Sequence, residues 1–371
     1  MSELTRGDLS VISLSGGEKF VEQVDSYLKQ WRSGSDSYII KPEWPRFGTG
    51  ESKCLLHDSL RGRDVYILAD TFNYGVTYKM YGQHVPMSPD DHFQDLKRLI
   101  GAMMGKANRI SVIMPMLYEG RQHKRSARES LDCAMALQEL INLGVTNILT
   151  FDAHDARVQN AIPCCGFDDV HPTYQMIKKL IKEYPDISLK RDDIMIVSPD
   201  EGGMSRCMYY SSVLGLDLGM FYKRRNYSIV VDGRNPIEAH EYLGRNVKGK
   251  DIIVVDDMIS SGESIFEVAS KLKERGAKRI FVFASFGLFC NGLDKFDKMY
   301  AEGVFDRIFT TNLTYRADDV KAREWYTEVN MCKYVALLID TLNHDKSISA
   351  LLNPASRINA LLEKLPPERR N

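Results

Sequence analysis

The sequence predicts an α/β protein with two domains, each a mostly parallel sheet flanked by helices. Apolar runs rich in β-branched residues alternate with helical patterns along most of the 371 residues, as in parallel sheets covered by helices. A chain of this length accommodates two domains of ordinary size. A helix–glycine–strand pattern also occurs twice, in Ala136–Ala153 and in Val268–Ser285, which favours two related domains.

The predicted strands are short apolar runs that end on polar or acidic residues. The clearest are Asp64–Asp70, Arg109–Pro115, Asn147–Ala153, Asp193–Asp200, Asp251–Asp257 and Arg279–Ser285. Helical spacing of apolar residues lies between them, in His92–Met104, Ala127–Gly144 and His171–Tyr184. We place the domain boundary near Cys165–His171, which gives domains at 1–165 and 166–350 and a tail at 351–371.

Composition and net charge give no sign of a nucleic-acid-binding, membrane-spanning or secreted protein. The formal net charge of −1 gives no reason to expect a nucleic-acid or anionic-membrane partner. No apolar run reaches the ~20 residues that a membrane span needs, and the N-terminal residues lack the apolar core of a secretion signal. The seven cysteines include no C-x-x-C pair, which favours reduced thiols in the cytoplasm.

The segment DIIVVDDMISSGES at Asp251–Ser264 has a distinctive order of strand, acidic pair, Ser/Gly loop and helix. Ile252–Val255 predict a strand buried on both faces, with Asp256 and Asp257 at its C-terminal end. A helix is predicted after Ser264, with a buried stripe at Ile265, Val268, Ala269 and Leu272 and a stop at Gly276.

This order suits the binding of a phosphorylated sugar. Backbone N–H groups of the loop and the helix N-terminus form a donor-rich hollow for phosphate. Gly262 permits close approach of the backbone, and hydroxyl donors come from Ser260, Ser261 and Ser264. The carboxylates of Asp256 and Asp257 can accept hydrogen bonds from vicinal sugar hydroxyls. An acidic pair that merely ends a strand, followed by a serine helix cap, is the simpler alternative.

The same segment resembles the phosphoribosyl-pyrophosphate signature shared by phosphoribosyltransferases and ribose-phosphate pyrophosphokinases. Further segments resemble the pyrophosphokinases in particular, and they follow in the same order along the chain. These are RFGTGE at Arg46–Glu51, GRQHKRSARES at Gly120–Ser130, FDAHD at Phe151–Asp155, SPDEGGMSR at Ser198–Arg206 and YKRR at Tyr222–Arg225. The resemblance implies two tandem phosphoribosyltransferase-like domains.

The reaction implied by the resemblance moves the β,γ-diphosphoryl group of ATP to the C1 hydroxyl of ribose 5-phosphate, with Mg²⁺ as cofactor. The resemblance then implies that Phe47 stacks on adenine and that Glu51 accepts a hydrogen bond from the adenine amine. Arg121 and Gln122 bind the phosphates of ATP. The resemblance assigns His154 and Asp200 to the metal. Lys223 and Arg225 become the catalytic cations of a flexible loop.

Two alternatives to this reaction stay open. One is a phosphoribosyltransferase that consumes phosphoribosyl pyrophosphate, because SSGES resembles those enzymes at Ser260. The other is a non-catalytic regulatory homologue that assembles with an active partner. The family resemblance also implies a homo-oligomer, a hexamer built from dimers. The segment Gly75–Ser88 is longer than in the family and has no assigned role.

Overall fold

The computed structural model describes residues 5–34, 36–225 and 237–370, with the backbone alone for 223–225 and 237–240. It divides into two compact units. The first comprises Met1–Pro172, Asn312–Ala317 and Asn330–Asn353, and the second Thr173–Thr311, Asp318–Val329 and Pro354–Asn371. The chain therefore returns twice to the first unit after it has built most of the second.

Each unit contains a sheet made mainly of parallel strands. The described strands are β1 Asp8–Ser13, β2 Arg63–Leu68, β3 Thr77–Met80, β4 Gln83–Pro86, β5 Arg109–Ile113, β6 Asn147–Phe151, β7 Gly166–Val170, β8 Ile194–Ser198, β9 Asp217–Arg225, β10 Ile237–Leu243, β11 Asp251–Ile259, β12 Ile280–Gly287, β13 Arg307–Thr311 and β14 Tyr326–Val329. The first unit has the order β1-β2-β5-β6-β7, and the second has β10-β9-β8-β11-β12-β13-β14. In the second sheet β10 runs antiparallel to β9.

Helices lie between these strands along the chain. The described α-helices are α1 Glu18–Arg32, α2 Pro89–Ala102, α3 Asp132–Asn142, α4 Thr173–Glu183, α5 Met204–Leu214, α6 Glu263–Glu274, α7 Asp294–Ala301, α8 Asp318–Lys321, α9 Cys332–Asn343, α10 Ser349–Leu352 and α11 Ala355–Leu362. Short 3₁₀ helices occur at Ala156–Ala161 and Pro367–Arg369.

The predicted class is confirmed, since all six predicted strands lie in these two sheets. The central strand β11 shows why the prediction succeeds. It pairs in parallel with β8 on one side and β12 on the other, and Ile252, Ile253 and Val254 have no exposed surface. A run of β-branched residues is the composition that a strand covered on both faces requires.

Three predicted boundaries were wrong. β11 continues through the acidic pair to Ile259, because β12 goes on pairing with it after the pairing with β8 ends at Val254. The next helix begins at Glu263, so Ser264 lies in its first turn rather than before it. α3 begins at Asp132 instead of Ala127, because the Glu129 carboxylate accepts backbone N–H groups of the preceding turn.

The core of the first unit lies against its parallel sheet. Buried strand residues such as Val65, Val112 and Ile148 form one apolar cluster with Leu96 of α2 and Leu137 of α3. Outside this cluster, α9 packs against α1, although the two helices are about three hundred residues apart in sequence. The first unit is thus completed by a segment from near the C-terminal end of the described chain.

Candidate active-site segments

The loop between β11 and α6 has the geometry of an anion-binding hollow. Gly262 is the N-cap of α6, has a φ of 83° and leaves the helix without a side-chain cap. A Cβ at this position would lie 2.9 Å from the ring of Phe266 and closer still to Phe296. Only glycine fits there, and the uncapped first turn leaves backbone donors that suit a phosphate.

The acidic pair lies at the end of β11, inside the strand rather than after it. Asp257 is only 4% exposed. Burial, and then the negative charge of Asp257, raise the pKa of Asp256 well above its usual value, while Arg206 opposes the shift. Two carboxylates held this closely titrate as a pair. The vicinal hydroxyl groups of a sugar can donate hydrogen bonds to such a pair.

The segment Ser198–Arg206 forms a tight turn next to this pair. The Ser198 hydroxyl donates to the backbone oxygen of Asp200 at 2.7 Å, and the Gly203 N–H donates to the Asp200 carboxylate at 3.1 Å. Gly203 is also the N-cap of α5. Since β8 and β11 are parallel neighbours, Asp200 and the acidic pair lie at the same end of the second unit's sheet.

The predicted catalytic residues Lys223 and Arg225 belong to a strand. β9 runs from Asp217 to Arg225, so the expectation that Lys223 and Arg225 lie in a flexible loop was wrong for the backbone of both residues. Pairing with β10 extends the strand, with His240 opposite Lys223. The side chains of Lys223 and Arg225, and residues 226–236, lie outside the described part of the chain.

In the first unit the segment RFGTGE forms the tip of a two-stranded ribbon. Arg46 pairs with Ser52, and the Gly50 N–H donates to the Phe47 oxygen at 2.9 Å, which closes a tight turn. Phe47 is 58% exposed, so it is not a core residue. The Thr49 hydroxyl donates to the Glu51 carboxylate at 2.9 Å and orients it.

The ribbon is anchored through Arg46. Its guanidinium donates to Asp95 of α2 at 2.6 Å and to the backbone oxygen of Gly50 at 3.2 Å. Asp95 is 2% exposed, so the ion pair is shielded from water and holds the loop firmly. The first residue of RFGTGE thus positions the loop, while Phe47 and Glu51 face solvent.

Arg121 and Gln122 are exposed in the turn that follows β5. The Gln122 N–H donates to the Glu119 oxygen at 2.8 Å, and Glu119 itself adopts a left-handed backbone conformation. The cationic residues of the segment, at 121, 124, 125 and 128, all precede α3. They therefore do not form the polar face of that helix.

The turn carrying Arg121 meets the loop carrying His154. The rings of His123 and His154 are 5.4 Å apart, edge to face, and His123 Nε2 lies 3.5 Å from Asp155 Oδ2. Asp155 also binds Arg157, and these hydrogen bonds lower the pKa of its carboxyl to about 2. His154 itself is exposed.

His123 and Asp155 connect two of the predicted site segments, and the sequence did not single them out. They are thirty-two positions apart, and nothing in the spacing links them. The only signal was that each lies one or two residues from a predicted ligand, at the ends of strands that could be neighbours.

No ready-made metal cluster accompanies these segments. Within residues 5–34, 36–225 and 237–370, no group of three or more His, Cys, Asp or Glu side chains is arranged to hold an ion. Nor does any helix in the described chain have the length and apolar character needed to cross a membrane.

Comparison with known proteins identifies the family. Residues 9–144 match the family described as the N-terminal domain of ribose phosphate pyrophosphokinase. Residues 167–311 match the phosphoribosyl transferase domain, so the two matches together span most of the chain. The chain belongs to the ribose-phosphate pyrophosphokinase family.

Full-length relatives and one solved structure agree with this placement. The chain is similar to ribose-phosphate pyrophosphokinases of Vibrio cholerae, at 29% identity over 83% of this chain and 90% of that protein. Similarity to the Prochlorococcus marinus family member is 29% over 83% of each chain. The fold matches phosphoribosylpyrophosphate synthetase from Mycobacterium smegmatis with a TM-score of 0.73, at 21% identity, over 91% of this chain and 99% of that one.

Proposed function

We propose that this protein is a ribose-phosphate pyrophosphokinase. It transfers the diphosphoryl group of ATP to the C1 hydroxyl of ribose 5-phosphate and yields phosphoribosyl pyrophosphate and AMP. The observation that carries the proposal is the order of the two family matches, at 9–144 and 167–311. A phosphoribosyltransferase would need only the second of them.

The sugar phosphate is assigned to the hollow between β11 and α6. The 5-phosphate accepts hydrogen bonds from the uncapped start of α6 at Gly262 and from the hydroxyls of Ser260, Ser261 and Ser264. Asp256 and Asp257 accept hydrogen bonds from the ribose hydroxyls. The raised pKa of Asp256 supports this assignment, because a neutral ligand with hydroxyl groups is compatible with it.

ATP is assigned to the exposed residues of the first unit. Phe47 stacks on adenine, since its exposed ring offers a flat apolar face. Glu51, oriented by Thr49, accepts from the exocyclic amine. Arg121 donates a bidentate pair of hydrogen bonds to phosphate oxygens, and Gln122 donates a further hydrogen bond to them. The proposed ATP-contacting segments therefore belong to the proposed domain 1–165, and the sugar loop belongs to the proposed domain 166–350.

His154 and Asp200 are each assigned as a Mg²⁺ ligand. An exposed imidazole and a partly exposed carboxylate are donors that such an ion accepts, and Asp200 is already held by Gly203. Bound Mg²⁺ would neutralise charge on the triphosphate oxygens. Lys223 and Arg225 supply permanent positive charge to the β-phosphate and the departing AMP, where negative charge develops.

The cellular compartment and the oligomeric state of the enzyme are also proposals. All seven cysteines are free thiols, which supports a reducing compartment such as the cytoplasm. A homo-oligomer, a hexamer built from dimers, follows from the family resemblance.

A product assay tests the reaction. The purified protein is incubated with ATP, Mg²⁺ and ribose 5-phosphate, with and without inorganic phosphate, and nucleotides are separated by chromatography. We expect AMP and phosphoribosyl pyrophosphate in equal amounts, and a far lower turnover for Lys223→Ala with little change in ribose 5-phosphate binding. ADP release, or nucleotide binding without turnover across metals, would overturn the proposal. Pyrophosphate release from phosphoribosyl pyrophosphate that requires a base would identify a phosphoribosyltransferase instead.

A further inference from the structure

The additional segment Gly75–Ser88 folds into a β-hairpin in the first unit. β3 and β4 pair antiparallel, with Met80 opposite Gln83, so the loop consists of Tyr81 and Gly82. Both loop residues have positive φ, at 47° and 84°. This is the pattern of a type I′ turn, which matches the twist of a two-stranded hairpin.

Tyr81 is an unfavourable residue for this turn. A type I′ turn favours Asn, Asp or Gly at its first central position, because a bulky side chain in the left-handed region crowds its own backbone. The ring of Tyr81 is also 78% exposed, so packing within this chain does not compensate for the strain. Because residues in such strained conformations cluster at ligand sites, an exposed tyrosine at this position is a candidate for contact with a ligand.

The hairpin tip is joined to the RFGTGE loop. The Tyr81 N–H donates to the Gly48 oxygen at 2.8 Å. The Arg46 guanidinium lies 4.3 Å from the centre of the Tyr78 ring, which adds a cation–π contact. Loop and hairpin are in close contact at Gly50, where a Cβ would lie 2.9 Å from the Met80 sulfur.

These contacts hold two exposed aromatic residues, Phe47 and Tyr81, on backbone segments that are hydrogen-bonded to each other. Phe47 is adjacent in sequence to Gly48, whose oxygen receives the Tyr81 hydrogen bond. Both rings face solvent, and Arg46 ties the loop to Asp95 of α2. The loop and the hairpin tip therefore form one preorganised platform with two aromatic faces.

We propose that Tyr81 contacts the adenine base of ATP beside Phe47, so that the hairpin β3–β4 is an extension of the nucleotide site. The inference rests on the proposed role of Phe47 in adenine binding. A second ring adds stacking surface for a purine. It explains both the tyrosine in a strained turn and the packing of the hairpin against this particular loop.

Tyr81→Asn is the variant that separates this role from a structural one. Asparagine suits the left-handed position, so we expect an equal or higher Tm by differential scanning fluorimetry. The KM for ATP should rise about tenfold through loss of base stacking, with the KM for ribose 5-phosphate unchanged. Tyr81→Phe, which keeps the ring, should restore most of the ATP affinity. Calorimetric titration with a non-hydrolysable ATP analogue gives the same comparison without turnover.

Gln83→Ala is the matched hairpin control, since Gln83 is exposed and directly follows the turn; its KM for ATP should equal that of the unmodified protein. An unchanged KM for ATP in Tyr81→Asn overturns the inference. So does a change in mass by light scattering with unchanged ATP binding, which would make the hairpin tip an assembly contact.

Phe47→Ala distinguishes failure of this inference from failure of the proposed function. If Phe47→Ala raises the KM for ATP and Tyr81→Asn does not, only the role of Tyr81 is overturned. If neither variant alters ATP binding, the assignment of the RFGTGE loop to adenine fails as well, and the inference fails with it.

Discussion

Glycine is required at position 262 for two separate reasons, the conformation of its backbone and the packing of the rings around it. Its φ of 83° disfavours any side chain, and the rings of Phe266 and Phe296 occupy the space where a Cβ would lie. These two requirements can be separated, because Gly303 in the same unit also has a positive φ but has open space around it.

Gly262→Ala should lower the free energy of unfolding by about 3 kcal/mol, the sum of backbone strain and overpacking. The matched variant Gly303→Ala should cost about 1 kcal/mol, because only the backbone term applies. Urea denaturation measures both, and ribose 5-phosphate binding should weaken for Gly262→Ala alone. Equal losses of stability would show that the phenylalanine rings move aside.

The carboxyl of Asp256 gives a prediction about pH. Its pKa is raised in the folded protein, so above the unfolded value of about 3.9 the unfolded chain loses this proton first. Stability contributed by this group therefore falls as pH rises from about 4 toward the folded pKa.

Asp256→Asn removes that penalty and should raise the Tm at pH 7, by about 2–4 °C for each kcal/mol relieved. The difference from the unmodified protein should shrink as the pH falls to about 4 and below, where the Asp256 carboxyl of the unfolded chain also takes up its proton. Calorimetric scans at several pH values measure it, with ribose 5-phosphate affinity expected to fall. A gap in Tm that does not depend on pH would contradict the raised pKa.

At the scale of elements, adjacent parallel strands bring separate loops together. In the first unit, β5 and β6 are neighbours, and the segments that follow them meet through His123 and Asp155. The contact joins the turn of Arg121 to the loop of His154, which fixes the spacing between a proposed phosphate ligand and a proposed metal ligand.

His123→Ala and Asp155→Asn should therefore be coupled in their effect on ATP binding. A double-mutant cycle on the KM for ATP should give an interaction of roughly 1 kcal/mol, within the range for residues in contact. The exposed pair Lys97–Glu139, at 2.8 Å on α2 and α3, provides a control cycle with no effect on the KM for ATP. Additive effects of His123 and Asp155 would show that the two loops are positioned independently.

The elements that sequence predicted well are those specified by local composition. β-branched runs identified β11 and its neighbours, and the apolar stripe Ile265, Val268, Ala269 and Leu272 is buried in α6 as expected. The end of β11 was missed because an acidic pair usually ends a strand, and the continuation through Met258 and Ile259 depends on pairing with β12.

Contacts between distant segments could not be predicted in this way. No local pattern links His123 to Asp155, or Tyr81 to Gly48, because each contact depends on which loops the sheet and its helices bring together. The hairpin β3–β4 was foreseen only as extra length, since its two four-residue strands are too short for a periodic signal.

At the scale of the whole molecule, the first unit depends on a late part of the chain. Arg109 of β5 donates to Asp64 at 2.7 Å and to the Leu342 oxygen of α9 at 2.8 Å. Asn343 of α9 donates to the same Asp64 carboxylate at 2.8 Å. Asp64 and Asn343 have no exposed surface, so this polar network attaches α9 to the sheet inside the core.

Arg109→Met should destabilise the first unit by about 3 kcal/mol, because it leaves the Asp64 carboxylate buried without its cation. The comparison variant Arg6→Met removes the exposed pair with Asp345, at 3.7 Å, and should cost less than about 1 kcal/mol. Hydrogen exchange, followed for peptides of β2, β5 and α9, localises the effect. A loss of protection confined to peptides of the second unit would contradict it.

The late return of the chain to the first unit also has a consequence for synthesis on the ribosome. The strands β1 to β7 emerge early, but the helix that covers α1 and shields Asp64 is translated only after some 160 further residues. During that interval the nascent N-terminal portion exposes an apolar face of α1, and the Asp64 carboxylate lacks the hydrogen bond from Asn343, so a holdase chaperone would act at this stage.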